Sequence, residues 1–398
     1  MKRKHILTSV LSGCLLLCLV ATLAACNEDD TDGGASTSAS TTVAETDPET
    51  EPATVPETGP ETDPETVPET DPATDPTTKP GTDPETDPEP ETIPEAQLIQ
   101  LRKDSMVVAQ APEVVRDPCM LYHDGTYYLY STGWKYATST GLDQPFSEFQ
   151  YCVETPEDYK DCPWAPEVYE YEGKFYMFTT YRSTKNNHRG CAIFVADTPA
   201  GPFKPHSDGH VTPADWDAID GTLYIDEEGQ PWMVFVYEWT STSDGIGRMA
   251  CAKLSDDLTH FISEPVVLFR SYDAKLPVNQ VTDGCFMYRT ESGKLLMIWS
   301  TQVLNRGYSV LVAESESGEI TGPWTHHVEM LYSNRHTKEY DGGHGMIFTD
   351  ANGDMWMSIH SPNDASVGRI ETPVFIPLKE ENNTLVWDLE RGKTNETP

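Results

Sequence analysis

Five stretches of this chain repeat one pattern: a polar opener, a short apolar strand, a turn containing glycine, and a second, very apolar strand. They read RDPCMLYHDGTYYLYSTG, WAPEVYEYEGKFYMFTT, AIDGTLYIDEEGQPWMVFVYE, VTDGCFMYRTESGKLLMIWS and GGHGMIFTDANGDMWMSIHS. Their turn glycines are Gly125, Gly173, Gly229, Gly293 and Gly353, separated by 48, 56, 64 and 60 residues. Asp124-Gly125 and Asn352-Gly353, set between aromatic and β-branched runs, are strong hairpin signals. A hairpin unit recurring about every 40 to 60 residues is the mark of a β-propeller blade. ADTPAGPF and AESESGEITGPW, at similar offsets in the second and fourth units, read as outer-strand echoes. No long amphipathic helix pattern competes, and a β-sandwich offers no reason for a fivefold period. The spacing predicts an all-β chain folded as a five-bladed β-propeller over residues 99–392.

What precedes the repeats reads as export and spacing. Lys2, Arg3 and Lys4 lead into an apolar run from Ile6 to Ala25, the layout of a secretory signal over residues 1–25. The ending Leu23-Ala24-Ala25-Cys26 resembles the bacterial lipobox, which implies lipidation at Cys26 and an exported protein anchored on the surface of a bacterial cell. Residues 26–98 then read as a disordered Pro/Thr/Asp/Glu-rich linker, with proline every fourth residue from Pro48 to Pro88. Proline denies this segment a helix and most ladder bonds, and its clustered carboxylates repel, so it stays extended. Fifty such residues in polyproline II would span about 150 Å.

The formal net charge of −38 leaves no surface able to neutralise a run of phosphates, so a nucleic-acid partner is excluded. The membrane enters only through the lipid anchor. Six cysteines lie after the linker, at 119, 152, 162, 191, 251 and 285, with no CxxC pair and no zinc spacing. Cys152 and Cys162 are the nearest candidates for a disulfide. The others read as buried thiols.

In a propeller the innermost strands line a central channel, so the residues opening them converge on one face. The openers are Asp117, Glu167, Asp220, Asp283 and His344. The second strands run back to that face and place Trp134, Tyr181, Glu238, Trp299 and His360 around the same rim. Carboxylates for proton traffic and flat rings for stacking on sugars are what a glycoside-cleaving site needs. Any single aspartate here could simply cap a turn. Five openers in one register point instead to a shared pocket, where crowded like charges would raise at least one carboxyl pKa.

Arg116-Asp117-Pro118, Trp164-Ala165-Pro166-Glu167, Ile219-Asp220-Gly221 and Gly343-His344-Gly345 resemble the motifs of glycoside hydrolase family 43, over roughly residues 107 to 380. The resemblance implies a five-bladed propeller and an inverting arabinofuranosidase, xylosidase or arabinanase acting on plant-type oligo- or polysaccharide. It implies Asp117 as general base and Asp220 as the residue that tunes the acid's pKa. The acid is usually a glutamate in a Glu-Gly-Pro motif, whereas this chain has Thr282-Asp283-Gly284-Cys285. Either Asp283 is the acid, or Glu238 replaces it. His344 matches a channel histidine often found near a water-coordinated calcium ion, and Arg369 an arginine that contacts substrate; Trp164 reads either as a platform for sugar or as a core tryptophan. Catalysis of this kind requires no cofactor, and calcium would be structural. Two rivals remain on sequence: a carbohydrate-binding propeller that has lost catalysis, and a fructosyl-processing enzyme that retains configuration.

Overall fold

A computed structural model describes residues 93–363 and 368–391. The expected signal segment, Cys26 and nearly all of the linker lie outside the described residues. The described strands form five antiparallel sheets: four have four strands in sequential order, and the fifth has five, with Thr384–Trp387 added beside Thr372–Glu381. Blade 1 comprises Cys119–His123, Thr126–Ser131, Lys135–Ser139 and Gln150–Tyr151. Blade 2 comprises Tyr159–Tyr171, Lys174–Ser183, Arg189–Ala196 and Lys204–Pro205. Blade 3 has Ala218–Ile225, Pro231–Tyr237, Arg248–Lys253 and Val266–Arg270, and blade 4 has Asp283–Arg289, Leu295–Val303, Gly307–Ser315 and Trp324–His326. The predicted tight turns form, with Asp124 at φ 47° and Gly125 at φ 79°.

Blade 5 closes the ring. Its inner three strands are Gly343–Thr349, Met355–Ser361 and Thr372–Glu381, and its outer strand is Val107–Val108 from the other end of the domain. Val107 pairs with Phe375 and Val108 with Val374. The first strands of successive blades lie against one another, and that of blade 5 lies against that of blade 1.

Burial explains why the second strands are apolar on both sides. Leu295, Met297 and Trp299 pack toward blade 3, while Leu296 and Ile298 pack toward blade 5. Side chains that alternate across a strand meet a neighbouring blade on either face, so near-continuous apolar runs result. Five buried clusters follow, one at each blade interface.

Two expectations need revision. A helix, Glu95–Ser105, spans the expected linker boundary at residue 98; its Arg102 lies over the Trp387 ring at 5.8 Å, and its Lys103 pairs with Glu339 at 2.7 Å. Its large apolar residues, Leu98, Ile99 and Leu101, all fall within one turn, too short a run for a periodic signal. No disulfide joins Cys152 to Cys162: the first sulfur faces the Trp134 carbonyl at 3.3 Å, the second the Asp161 carboxylate at 2.9 Å.

Candidate active site

The channel mouth is built from one irregular position in every blade. Asp117, Ala165, Asp220, Gly284 and His344 all have left-handed backbones, with φ of 53°, 43°, 56°, 38° and 55°. In blades 2 to 5 the ladder slips there, between Trp164 and Glu167, Ile219 and Thr222, Asp283 and Phe286, and Gly343 and Met346. A bulge re-aims a side chain out of the sheet, and a left-handed non-glycine residue persists only where its surroundings hold it.

A belt of hydrogen bonds between blades supplies that hold. Four of the five bulge N–H groups donate to a residue on, or just past, the second strand of the preceding blade. Ala165 N–H reaches Thr132 Oγ1 at 3.0 Å, Asp220 N–H reaches Thr180 Oγ1 at 3.0 Å, His344 N–H reaches Ser300 Oγ at 2.8 Å, and Asp117 N–H reaches His360 Nδ1 at 3.3 Å. The corresponding residue in blade 3 is Val236, opposite Ile219, and it has no acceptor. There Gly284 N–H donates to the carboxylate of Asp220 instead, at 3.0 Å from Oδ2.

This register brings Asp117, Asp220, Asp283 and His344 together. His344 Nδ1 lies 3.3 Å from Asp117 Oδ1, 3.9 Å from Asp220 Oδ2 and 3.9 Å from Asp283 Oδ1. Three carboxylates facing Nδ1 favour a proton on that nitrogen, leaving Nε2 buried with no hydrogen-bond partner. Thr132 Oγ1 donates to Asp117 Oδ2 at 2.6 Å, and Tyr308 OH donates to Asp283 Oδ2 at 2.7 Å. Arg116 sits beside Asp117, oriented by Glu371 at 2.5 Å and Asn363 at 2.9 Å. His360 Nδ1 accepts the Asp117 N–H and its Nε2 faces Asn363 Oδ1 at 3.0 Å, as the neutral ring requires. Burial pushes its pKa down to about 4.

The carboxyls divide into two electrostatic classes. Burial works against the charge of Asp117, but His344, Arg116, His360 and the Thr132 hydroxyl overcome it and hold the group below the usual carboxylate range. Asp220 is driven well above that range by burial, then by Asp283, with which it shares a hydrogen bond, and by Asp117. The surroundings thus favour the ionised form of Asp117 and the protonated form of Asp220, the division an acid and a base need.

Of the other expected site residues, Glu167, Trp134 and Trp299 are enclosed in the interior. Glu167 is two residues past the bulge of its blade, sealed in the channel with Tyr169 OH on Oε2 and no partner on Oε1. Burial pushes its pKa up to about 8. Trp134 and Trp299 are core residues: Trp134 packs on Tyr181 and Phe194 and donates to Thr179 at 2.9 Å, and Trp299 packs on Phe269. A strand shifted by one residue turns every side chain to its other face, and Trp299 is one residue off the rim position of Ser300. Glu238 is buried against Arg189, 2.7 Å from its Nε, and burial raises its pKa against that pull. Trp164 is half-buried, with the Arg189 guanidinium 5.7 Å from its ring centre. Arg369 lies over the Tyr340 ring at 4.9 Å. The sequence reading missed Tyr308, Thr132, Thr180 and Ser300. Thr132 and Thr180 stand 15 residues after their bulges, and Val236, Ser300 and His360 stand 16 after theirs, a regularity that could have found the row.

The sequence model of Glycosyl hydrolases family 43 matches residues 111–374. The chain belongs to this family. Among solved family 43-like structures, endo-arabinase from Bacteroides thetaiotaomicron VPI-5482 is 33% identical, with a TM-score of 0.62, covering 70% of this chain and 99% of that one. A thermostable family-43 glycoside hydrolase, 22% identical with a TM-score of 0.59 over 70% of this chain and 95% of that one, shares the fold. The chain is also 29% identical over 162 residues to the Extracellular exo-alpha-(1->5)-L-arabinofuranosidase ArbA of Cellvibrio japonicus, covering 36% of this chain and 45% of that protein. It thus spans less than half the length of the curated relatives it matches.

Proposed function

We propose that the chain hydrolyses α-1,5-linked arabinofuranosyl residues of plant arabinan with inversion at the anomeric carbon. The convergence of Asp117, Asp220 and Asp283 on His344 Nδ1 carries this reading, and the names of the relatives above support the sugar. Asp117, kept ionised, takes a proton from water as that water attacks the anomeric carbon. The glycosidic C–O bond breaks, and the leaving oxygen takes the proton held by the Asp220–Asp283 pair. Asp283 delivers it: its side chain is 23 % exposed, against 4 % for Asp220. Glu238 is a poorer acid, because protonating it would break its ion pair with Arg189.

His344 Nε2 is the nitrogen that would face a calcium ion's water in the channel, since calcium prefers oxygen ligands. A cation there would add positive charge beneath the carboxylates. The residues fit that role: the nitrogen is buried and unpartnered. Leu23-Ala24-Ala25-Cys26 supports lipid anchoring, and the extracellular relative supports export. Among the described residues no helix is long and apolar enough to cross a membrane.

The test compares arabinan and aryl α-L-arabinofuranosides as substrates for Asp117→Asn, Asp283→Ala and Glu238→Ala. Asp117→Asn should lose activity on all of them, and Asp283→Ala should be spared on 2,4-dinitrophenyl substrates, whose leaving group needs no proton. Sparing of Glu238→Ala instead would transfer the acid role, and sugar binding without hydrolysis by the unaltered protein would end the proposal.

A further inference from the structure

The acid motif of this chain is one methylene short of the glutamate its family resemblance implies, so something must fix the shorter side chain at the mouth. Tyr308 stands where that support is needed. It is the second residue of the third strand of blade 4, and its hydroxyl donates to Asp283 Oδ2 at 2.7 Å. We propose that Tyr308 is a positioning residue for the acid: it clamps one oxygen of Asp283 and steadies the carboxylate that forms as the proton leaves. This rests on Asp283 as the acid.

The ring has little freedom to do anything else. Its backbone N–H donates to Asp341 Oδ2 at 3.0 Å. Its face stacks on His360, with centroids 5.5 Å apart and planes 21° apart. Its edge fills the space over Gly343, where a Cβ would come within 2.5 Å of the ring. Gly307, just before it, has φ of 70°, and a Cβ there would meet Asp341 at 2.7 Å. Tyr308 is buried, and burial followed by the charge of Asp283 raises its pKa well above the usual phenol value, so the hydroxyl remains a donor.

The geometry divides the work between the two oxygens of Asp283. With Oδ2 bound by the phenol, Oδ1 is the oxygen nearest His344 Nδ1. Asp220, for its part, has Oδ2 held by Gly284 N–H. Each carboxyl of the proton-sharing pair therefore has one oxygen fixed from outside. When the proton passes to the glycosidic oxygen, both carboxyls are left charged, and the phenol and the amide are already in place to stabilise them. His360 joins this clamp to the base, because it stacks on Tyr308 and accepts the backbone N–H of Asp117. A tyrosine needed only for packing would have no use for its hydroxyl, and that gives a readout packing alone would not move.

The test uses Tyr308→Phe, which keeps the ring, on a series of aryl α-L-arabinofuranosides of decreasing leaving-group acidity and on arabino-oligosaccharides. Expected is a fall in kcat of about 10- to 100-fold on the oligosaccharides but under about 3-fold on the 2,4-dinitrophenyl substrate, with KM nearly unchanged. In an Asp283→Ala background the same change should add almost nothing. An equal loss across the series, or full additivity with Asp283→Ala, would overturn the proposal. If Tyr308→Phe does not fold, 3,5-difluorotyrosine at 308 keeps shape and hydroxyl but alters donor strength; an unchanged leaving-group slope would then overturn it. Should Asp283→Ala itself show no sparing, the acid assignment fails. If Asp283→Ala is spared and Tyr308→Phe is not, this inference fails alone.

Discussion

Asp220 Oδ2 accepts the backbone N–H of Gly284 at 3.0 Å. In three other blades a threonine or serine hydroxyl, and in blade 5 a histidine nitrogen, takes the corresponding N–H, but Val236 offers none. The gap in the belt is therefore what ties the carboxyl of Asp220 to the strand carrying Asp283. Val236→Thr supplies the missing acceptor and competes for the Gly284 N–H. We expect kcat/KM to fall about 10-fold with Tm changed by only a few degrees, since the two side chains are nearly isosteric. Steady-state kinetics beside a thermal melt decide it; unchanged kinetics would mean that Asp220 does not depend on this amide.

Ser300 is the acceptor for His344 N–H at a wholly buried position. Removing one partner of a buried pair costs the desolvation of the other, about 1–3 kcal/mol. Ser300→Ala should lower stability by that amount in urea unfolding, and should loosen the left-handed turn that points His344 at the carboxylates. Activity should fall with it, because the other acceptors of the row are each taken by the N–H of a different blade.

Glu167 makes stability depend on pH in an unusual direction. Its pKa is about 8 in the folded chain against 4.5 for an ordinary glutamate, so the unfolded chain ionises first. Its contribution is complete below about pH 4.5 and is lost as pH rises through 8. Glu167→Gln cannot ionise. It should gain roughly 2–4 kcal/mol relative to the parent between pH 4.5 and 8, seen as a diverging urea midpoint. A constant difference across that range would show that Glu167 is already charged when folded.

An inverting route leaves room for water between base and acid. Proton NMR of the first product formed from an α-linked arabinofuranoside should show the β-anomer before mutarotation mixes the two. Initial α-anomer would instead make one aspartate a nucleophile.

The repeat legible in the sequence was the hairpin, because Asp124-Gly125 and its counterparts fix strand length on both sides of the turn. From each turn glycine, counting back reaches Asp117, Asp220 and His344 correctly. In blade 2 the conspicuous acid, Glu167, stands two residues past the bulge at Ala165, whereas in blade 4 Asp283 stands one residue before the bulge at Gly284 and still joins the cluster. Carboxylates are conspicuous in a sequence, and a left-handed alanine is not. Counting carboxylates thus puts Glu167 on the mouth, although its side chain is sealed beside Tyr169. The rim aromatics failed for a related reason: Trp134 and Trp299 are as apolar as core demands, and only the strand register separates a platform from a plug. Tyr308 lay beyond reach, since its contact with Asp283 joins the first and third strands of a blade across its inner face.

Val107 and Val108 hold the ring shut with a two-residue ladder to Phe375 and Val374. A pull from upstream meets the helix Glu95–Ser105 first and that seam next. The fastening nearest the N-terminus is also the shortest strand of its sheet, so under tension the propeller would unzip from its own clasp, and the adjoining helix, pinned through Arg102 and Lys103, is the strain relief that shields it.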